Sequence, residues 1–265
     1  MDTPLPRATL FNTEVRSFPS EIMGITYQIS TWFPLNYSKA NQKYPVIYLL
    51  DGDVFLGLMS GIVGGLVYTH IIPDCLIVGI GHDISTSEEW WKARAVDLNP
   101  PENPKVTYAR WMQPYKIRRA PDFLRFLKSE LIPFIETTYP ADPANRLLAG
   151  FSWGGQFAIY SLFHEPDLFS KYLIASGFWE HMLPEYLAYE EELAQQRKSL
   201  PVHAFFSVGS LEDGQVPYFP QFIEALRRRN YDDFCMDTLV IEGADHGSGQ
   251  AIAYIHGLRA LYSSN

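Results

Sequence analysis

The sequence predicts an α/β domain whose central sheet is mostly parallel, begins with antiparallel strands and carries helices on both faces. Continuous apolar runs at residues 44–50 and 75–80 are typical of strands that are buried on both faces. Such runs alternate with stretches of helical spacing, and this alternation implies parallel strands joined by crossover helices. Near the N-terminus, apolar and polar residues alternate through Ile25, Tyr27 and Ile29, which indicates half-exposed antiparallel strands.

The remaining elements follow the same pattern, and no repeat or linker interrupts it, so residues 1–265 are expected to form a single domain. The predicted strands are residues 7–18, 23–33, 44–50, 75–80, 147–149, 171–176, 201–208 and 234–242, and the predicted helices are residues 54–68, 123–135, 154–164, 217–230 and 248–262. Pro133 is expected to kink or interrupt the second of these helices. Aromatic-rich insertions at about residues 82–118, which lack periodicity, and 177–200 are expected to flank a functional site.

The composition excludes several classes of function. The net charge is −9, from 21 basic and 30 acidic residues, and no basic stripe occurs, which argues against a nucleic-acid-binding protein. No apolar run of about 18 residues and no apolar leader occur, so a soluble, cytoplasmic protein without a membrane partner is expected. Metal-ligand and phosphate-loop motifs are absent, so neither a metal nor a cofactor is expected. Cys75 and Cys235 lie in apolar runs and are expected to be buried free thiols, with a disulfide as the minority alternative.

A candidate nucleophile follows the apolar run at residues 147–149. Residues 150–154 read Gly-Phe-Ser-Trp-Gly, and helical spacing resumes directly after them. This is the G-x-S-x-G pattern of a nucleophile elbow, in which a strand turns sharply into a helix with the serine at the tip. The outer glycines remove side chains that would collide in so tight a turn. Ser152 is therefore the predicted nucleophile.

A carboxylate and a histidine follow Ser152 in the chain order that α/β-hydrolases use. Among the seven histidines, His246 is the one in a glycine-flanked loop after a late strand, whereas His82 and His181 lie in the aromatic insertions. An imidazole removes a serine proton near neutral pH, and a carboxylate on its other nitrogen fixes the tautomer. His246 is the predicted base. The candidate acids, all on loops after late strands, are Glu212, Asp213, Glu242 and Asp245.

An oxyanion hole is expected from two backbone amides. The general pattern takes one from the residue after the nucleophile, Trp153, and one from the loop after the third strand, where the sequence places Asp53. Acidic side chains would repel an anion, so the carboxylates of Asp51 and Asp53 are expected to point away and to form hydrogen bonds within their own turn.

Four segments of the chain resemble the putative-esterase family of α/β-hydrolases, and together they span nearly the whole chain. They are residues 44–52, 123–135, 149–155 and 243–248. The family includes enterochelin-type siderophore esterases, feruloyl and acetyl esterases, S-formylglutathione hydrolases and mycolyltransferases. The resemblance implies the α/β-hydrolase fold, with Ser152 as the nucleophile and His246 as the base.

The same resemblance bears on the acid and on substrate binding. Glu212 occupies the position where relatives have Gly-x-x-Asp or Gly-x-x-Glu, which favours it over Asp213. Some siderophore esterases of the family are similar to one another in working with a Ser-His dyad, so the resemblance leaves the role of the acid open. Arg94 is similar to an arginine that siderophore-type members direct toward the substrate, and an ion pair with a nearby carboxylate is the alternative.

Tryptophans suggest the shape of the acyl site. Trp153 stands where relatives often have Met, Leu or Gln, and Trp90 and Trp179 lie in the flanking insertions, together with Trp91 and Trp111. Their number suggests a cleft for an aromatic or bulky apolar acyl group, while the alternative is that these rings pack the insertions onto the domain.

The function expected from these observations is that of a serine carboxylester hydrolase working through an acyl-enzyme. Its candidate substrates are small-molecule esters, lactones or thioesters, including a bulky or aromatic ester and a siderophore-type lactone. Two alternatives remain: an acyltransferase or cyclising, thioesterase-like enzyme that uses the same residues and excludes water, and a binding module that has kept the fold without catalysis.

Overall fold

The computed structural model describes residues 9–39, 42–101 and 117–263, which form one eight-stranded sheet with helices on both faces. The strands are β1 (Thr13–Ser20), β2 (Ile25–Trp32), β3 (Tyr44–Leu49), β4 (Leu76–Gly81), β5 (Ala141–Phe151), β6 (Lys171–Ala175), β7 (His203–Gly209) and β8 (Cys235–Ile241). Their spatial order is β1-β2-β4-β3-β5-β6-β7-β8. β2 pairs antiparallel with β1 and with β4, and the other neighbours pair in parallel, which confirms the predicted fold class.

Helices connect the strands and cover both faces of the sheet. They are α1 (Gly52–Tyr68), α2 (Ser87–Leu98), α3 (Ala120–Phe126), α4 (Ile132–Thr138), α5 (Trp153–His164), α6 (Trp179–Gln196), α7 (Phe219–Arg229) and α8 (Gly249–Tyr262). Residues of α1 and α8 share one core with the sheet, and residues of α3, α5, α6 and α7 share the other. Within the described part of the chain, no helix combines the length and the apolar character that crossing a bilayer requires.

β3 shows how the sheet separates these two cores. Val46 and Tyr48 belong to the core under α5, and Ile47 and Leu49 belong to the core under α1 and α8. Successive side chains of a strand point to opposite faces, and here both faces are covered by helices, so all four residues are fully buried. A strand in this position has no polar face, which explains its continuous apolar sequence.

The first insertion is more regular than predicted, because α2 lies within it. α2 begins after Thr86, whose side chain accepts a hydrogen bond from the Glu89 amide, while the Glu89 carboxylate accepts one from the Thr86 amide. The pattern Thr-x-x-Glu in the sequence is typical of a capping box and predicts the start of a helix at this point. Trp111, with the rest of residues 102–116, lies outside the described residues.

The second insertion is mostly the single helix α6. Its buried residues recur at helical spacing and are Trp179, Met182, Leu183, Glu185, Tyr186, Glu190 and Leu193. Pro184 lies in the second turn and does not end the helix. The described insertions are therefore folded parts of the domain that pack on the core.

The expected interruption of the helix at residues 123–135 takes a specific form. α3 ends at Phe126, five residues form a π-helical turn (Leu127–Leu131), and α4 then begins with Pro133 in its first turn. A proline has no amide hydrogen to donate and is tolerated at the start of a helix. The wide turn thus places Pro133 where its missing donor costs little.

Two smaller expectations are wrong. β1 continues through Pro19 to Ser20, and the hairpin turn follows it, closed by a 2.9 Å hydrogen bond from the Gly24 amide to the Ser20 carbonyl. Gly24 has φ 71°, a left-handed conformation that favours glycine.

Cys75 is a buried free thiol as expected, and burial raises its pKa to about 12. Cys235 is exposed, because it begins the edge strand β8.

Trp179 is fully buried at the start of α6. Its ring packs 5.1 Å from Phe219 and 5.3 Å from Phe222 of α7, measured between ring centroids, and 6.0 Å from Tyr186 two turns further along α6. These aromatic contacts join α6 to α7 and to β7, where Phe206 lies 6.2 Å away. Trp179 thus follows the alternative in which tryptophans pack an insertion onto the domain.

We expect Trp179→Ala to lower the free energy of unfolding by about 3–5 kcal/mol, the usual effect of removing a buried tryptophan side chain. Trp179→Phe keeps part of the aromatic packing and should lose less. Urea unfolding followed by circular dichroism measures both. Tyr68→Ala, which removes an exposed aromatic ring from α1, serves as the control and should change stability by less than about 0.5 kcal/mol. Equal stability of Trp179→Ala and the wild type would contradict this role.

Candidate active site

Ser152 lies at a sharp turn between β5 and α5. Its backbone adopts φ 60° and ψ −119°, a strained conformation for a residue with a side chain. A Cβ atom at Gly150 would lie 2.2 Å from the Gly154 carbonyl oxygen, and one at Gly155 would lie 2.8 Å from the Ala175 oxygen. The glycines therefore permit the strand and the helix to approach so closely, in agreement with the elbow that the motif predicts.

A histidine and a glutamate from two other strand ends form a hydrogen-bonded pair. His246, in the loop between β8 and α8, has its Nδ1 atom 2.6 Å from Oε2 of Glu212, which follows β7. The His246 ring lies 4.6 Å from the Phe151 ring, and Phe151 immediately precedes Ser152. These contacts bring the imidazole to the end of the elbow strand.

Glu212 is held on both of its oxygens. Its Oε1 atom accepts hydrogen bonds from the Ser176 hydroxyl and from the Gly209 amide, each at 2.7 Å. Burial raises the pKa of the Glu212 carboxyl, but the hydrogen bonds from His246, Gly209 and Ser176 outweigh burial and leave that pKa below its usual value. The group is therefore a carboxylate at neutral pH, fixed against the Nδ1 side of the imidazole.

The other candidate acids differ from Glu212 in their surroundings. Asp213 is exposed beside it. Asp245, on the same loop as His246, accepts hydrogen bonds from the amide and the hydroxyl of Ser248 at 2.8 and 2.7 Å. The side chain of Glu212 is 3% exposed and that of His246 is 44% exposed, so the acid is shielded while the imidazole is accessible.

The two amides expected to form an oxyanion hole belong to first helical turns. Trp153 begins α5, and Asp53 is the second residue of α1. The amides at a helix N-terminus and the helix dipole together favour a negative charge. A Cβ atom at Gly52 would lie 2.4 Å from the backbone of Gly79 in β4, so α1 begins in direct contact with the sheet.

The expectation that the carboxylates of Asp51 and Asp53 form hydrogen bonds within their own turn is wrong for Asp51, and Asp53 also accepts a hydrogen bond from another element. Asp51 makes no side-chain hydrogen bond to the start of α1. Its oxygens accept hydrogen bonds from Nε and Nη2 of Arg94 in α2, at 2.5 and 3.0 Å. Asp53 accepts a 3.1 Å hydrogen bond from the amide of His82, and burial raises the pKa of its carboxyl.

The predicted substrate-binding residues fall in two places. Arg94 and Trp90 lie together beside the elbow: the Arg94 guanidinium carbon is 4.3 Å from the centre of the Trp90 ring and 5.4 Å from that of Trp153. Trp153 is fully buried, so its side chain contributes by packing. Trp179 is buried between α6 and α7, where its ring packs on Phe219 and Phe222. Arg94 forms an ion pair with the Asp51 carboxylate, which is the alternative to a substrate contact that the sequence left open.

A second group of polar residues, beside the start of α1, was not predicted. His82 Nε2 and the Tyr27 hydroxyl lie 2.9 and 3.0 Å from the same oxygen of Asp97, which is buried in α2. Burial lowers the pKa of His82, but the hydrogen bond and the charge of Asp97 raise it by a larger amount. The pKa of His82 is therefore above its usual value. Ser176, which supports Glu212, was missed too, although it follows strand β6 as the other site residues follow theirs.

The lowered pKa of Glu212 predicts a pH-dependent contribution to stability. That contribution is complete above about pH 4.3, the usual pKa of a glutamate, and is lost as the pH falls through the lower value of the folded state. Glu212→Gln should therefore cost about 1–3 kcal/mol of unfolding free energy at pH 7, as expected for hydrogen bonds to a charged group, and less toward pH 3.

Urea unfolding of both proteins between pH 3 and pH 8 measures this difference. Glu224→Gln is the matched control, because Glu224 forms an exposed pair with Arg228 along α7. It should change stability by less than about 1 kcal/mol at any pH. A difference between wild type and Glu212→Gln that does not vary with pH would contradict the assignment of Glu212 as the ionised partner.

Comparison with known proteins identifies the family. The chain matches the family described as "Putative esterase" over residues 20–230. It is 30% identical to the ferri-bacillibactin esterase BesA of Bacillus subtilis over 215 residues, 77% of this chain and 72% of that protein. It is 26% identical to the siderophore triacetylfusarinine C esterase of Aspergillus fumigatus over 186 residues, 68% of this chain and 59% of the relative.

A solved structure is similar over its entire length. The BES protein from Bacillus cereus shares 27% identity and superposes with a TM-score of 0.82, with 100% of each chain covered. The match to the family and the similarity in sequence and fold lead to one conclusion: the chain belongs to the putative esterase family and is a serine esterase of the α/β-hydrolase fold.

Proposed function

We propose that this protein hydrolyses an ester bond of a siderophore-type substrate through an acyl-enzyme formed on Ser152. In this proposal His246 is the general base and acid, Glu212 orients the imidazole, and the amides of Trp153 and Asp53 stabilise the oxyanion. The observation that supports it most directly is the 2.6 Å contact between His246 Nδ1 and the buried Glu212 carboxylate, at the edge of the sheet where Ser152 follows β5.

The tautomer of His246 follows from its partner. An ionised carboxylate can only accept, so Nδ1 of His246 carries the hydrogen and donates it to Glu212. The other ring nitrogen, Nε2, is then unprotonated and can take the proton of the Ser152 hydroxyl as the oxygen attacks the ester carbonyl. The imidazolium that forms is stabilised by the adjacent negative charge.

The remaining steps use the same groups. As the tetrahedral intermediate collapses, the carbon–oxygen bond to the leaving alcohol breaks and His246 gives its proton to that alcohol. Water then attacks the acyl-enzyme with His246 as base, and the acid leaves Ser152 with its hydroxyl restored. The negative charge of both intermediates lies at the N-terminal ends of α1 and α5, where amides can stabilise it without reorganising.

The substrate class is inferred from two relatives and from the surroundings of the elbow. The names of the two relatives describe them as esterases of ferri-bacillibactin and of the siderophore triacetylfusarinine C. In this chain, Trp90 is half-buried and Trp91 is 37% exposed, and Trp91 packs edge-on against Trp153 with 5.3 Å between ring centroids. An exposed aromatic surface next to the nucleophile suits a large acyl group that carries aromatic or extended apolar parts.

Ser152→Ala should reduce ester hydrolysis by at least about 10⁴-fold, because removal of the nucleophile removes the acyl-enzyme route. The assay follows p-nitrophenyl acetate by absorbance and the opening of a catecholate trilactone by mass spectrometry, and a fluorophosphonate probe reports the reactive serine. Ser161→Ala, on the buried side of the same helix, is the control and should retain labelling and turnover. Undiminished turnover in Ser152→Ala would show that another residue is the nucleophile.

Glu212→Gln should lower kcat by about 10³–10⁴-fold with little change in KM, since the amide cannot hold the productive tautomer as the carboxylate does. Asp213→Asn, at the adjacent exposed position, should stay within about threefold of the wild type. Steady-state kinetics on p-nitrophenyl acetate separates the two. A loss below tenfold in Glu212→Gln would instead favour a Ser-His dyad.

A further inference from the structure

We propose that Phe151 is a positioning residue, whose aromatic ring orients the His246 imidazole and stabilises the positive charge that this imidazole acquires during the reaction. Phe151 acts through His246 and carries no polar group that could enter the chemistry. The inference rests on the proposed function, because it concerns the proton that His246 takes from Ser152. It gives the variable position of the G-x-S-x-G pattern a role beyond filling the core.

The contact between the two rings is the first support. The centroid of the Phe151 ring lies 4.6 Å from that of the His246 ring, and the two planes meet at 34°, which is closer to an offset stack than to an edge-on contact. The Nδ1 hydrogen bond to Glu212 fixes one atom of the imidazole but permits the ring to turn about that bond. The face of Phe151 limits this rotation, so the two contacts together direct Nε2.

Phe151 is itself firmly held. It is the last residue of β5, where it pairs with Ala175 of β6, and it is 7% exposed. The Phe55 ring of α1 packs edge-on against it, with 6.0 Å between centroids and an angle of 87°. A side chain packed between a sheet and a helix in this way has little freedom to move. Phe151 therefore offers a fixed surface to an imidazole that is 44% exposed.

Chain position links this surface to the nucleophile. Phe151 directly precedes Ser152, so the end of one strand determines where both the hydroxyl and the support of the imidazole lie. The Phe151 ring belongs to the core beneath α1 and α8, and the loop that carries His246 leads into α8. A shift of β5 would move the nucleophile and this support together, which preserves their relative placement.

Charge gives the contact a chemical role. His246 takes up a proton in both acylation and deacylation, so it is a cation in the transition state of each step. Glu212 compensates that charge at Nδ1, along the edge of the ring, whereas the π face of Phe151 attracts the cation from one side. Water reaches the partly exposed imidazole and weakens this attraction, which leaves an effect on the rate of about tenfold.

The first test measures kcat and KM on p-nitrophenyl acetate. Phe151→Leu keeps a large apolar side chain but removes the π face, and should lower kcat about tenfold. KM should stay within about threefold, because acylation and deacylation use the same imidazolium and slow together.

Fluorinated side chains separate the effect of charge from that of packing. Replacement of Phe151 by 4-fluorophenylalanine or by pentafluorophenylalanine keeps the ring and nearly its volume, but withdraws electron density from the face, and full fluorination makes the face repel a cation. We expect kcat to fall about twofold with the first and about tenfold with the second. The rate of fluorophosphonate labelling should fall in the same order. These variants decide the question even where Phe151→Leu does not fold, as judged by circular dichroism.

Phe205→Leu is the matched control, because Phe205 is a buried phenylalanine of β7 in the same core. It should lower the free energy of unfolding in urea as Phe151→Leu does, while kcat stays within about twofold of the wild type. A role of Phe151 in packing alone predicts this same result for Phe151→Leu. An unchanged kcat in Phe151→Leu, or in the pentafluorophenylalanine variant, overturns the proposal.

Ser152→Ala, assayed in parallel, separates this proposal from the proposed function. If Ser152→Ala is inactive and the Phe151 variants turn over as the wild type does, the positioning role alone fails. If Ser152→Ala remains active, the proposed nucleophile fails.

Discussion

The close approach of helix N-termini to the carboxyl edge of the sheet is the constraint on which the candidate site depends. At Gly150 and Gly52, a Cβ atom would lie 2.2 and 2.4 Å from backbone atoms of the facing segment, so any side chain there would force the helix away. α5 and α1 can begin directly where β5 and β3 end because these positions carry glycine. This contact puts Ser152 in its strained conformation, and the N-termini of both helices lie at the same edge of the sheet.

Compensation of buried charge is the second feature of this edge. Glu212 is paired with His246, Asp51 with Arg94, and Asp97 with His82 and Tyr27. An unpaired buried carboxylate is costly, and near a developing oxyanion it would also oppose catalysis. Each carboxylate instead has a donor from a different element. The pairs therefore join α2 to the start of α1, to β2 and to the loop after β4, and they join the loops after β7 and β8 to each other.

Local patterns in the sequence predicted much of this molecule. The continuous apolar runs marked the buried strands, the G-x-S-x-G pattern marked the elbow, and chain order selected Ser152 and His246. The errors arose where local and tertiary signals differ. The aromatic content of α2 and α6 predicts insertions beside a cleft, whereas a capping box and a helical spacing of buried residues indicate the helices that form. The apolar run around Cys235 predicts a buried thiol, but periodicity alone does not distinguish an edge strand from a central one, and Cys235 is exposed.

The amino-acid sequence by itself determined the fold class, the strand-to-helix turn at Ser152 and the order of the predicted catalytic residues, since these follow from side-chain periodicity and from the backbone freedom of a few glycines. Only the tertiary structure decided which partner each buried group meets. Arg94 and Asp51 are 43 positions apart, and His246 and Glu212 are 34 apart. Strand order and register bring such groups together, so no local pattern could show that Arg94 faces Asp51 or that the Trp179 ring lies within the core.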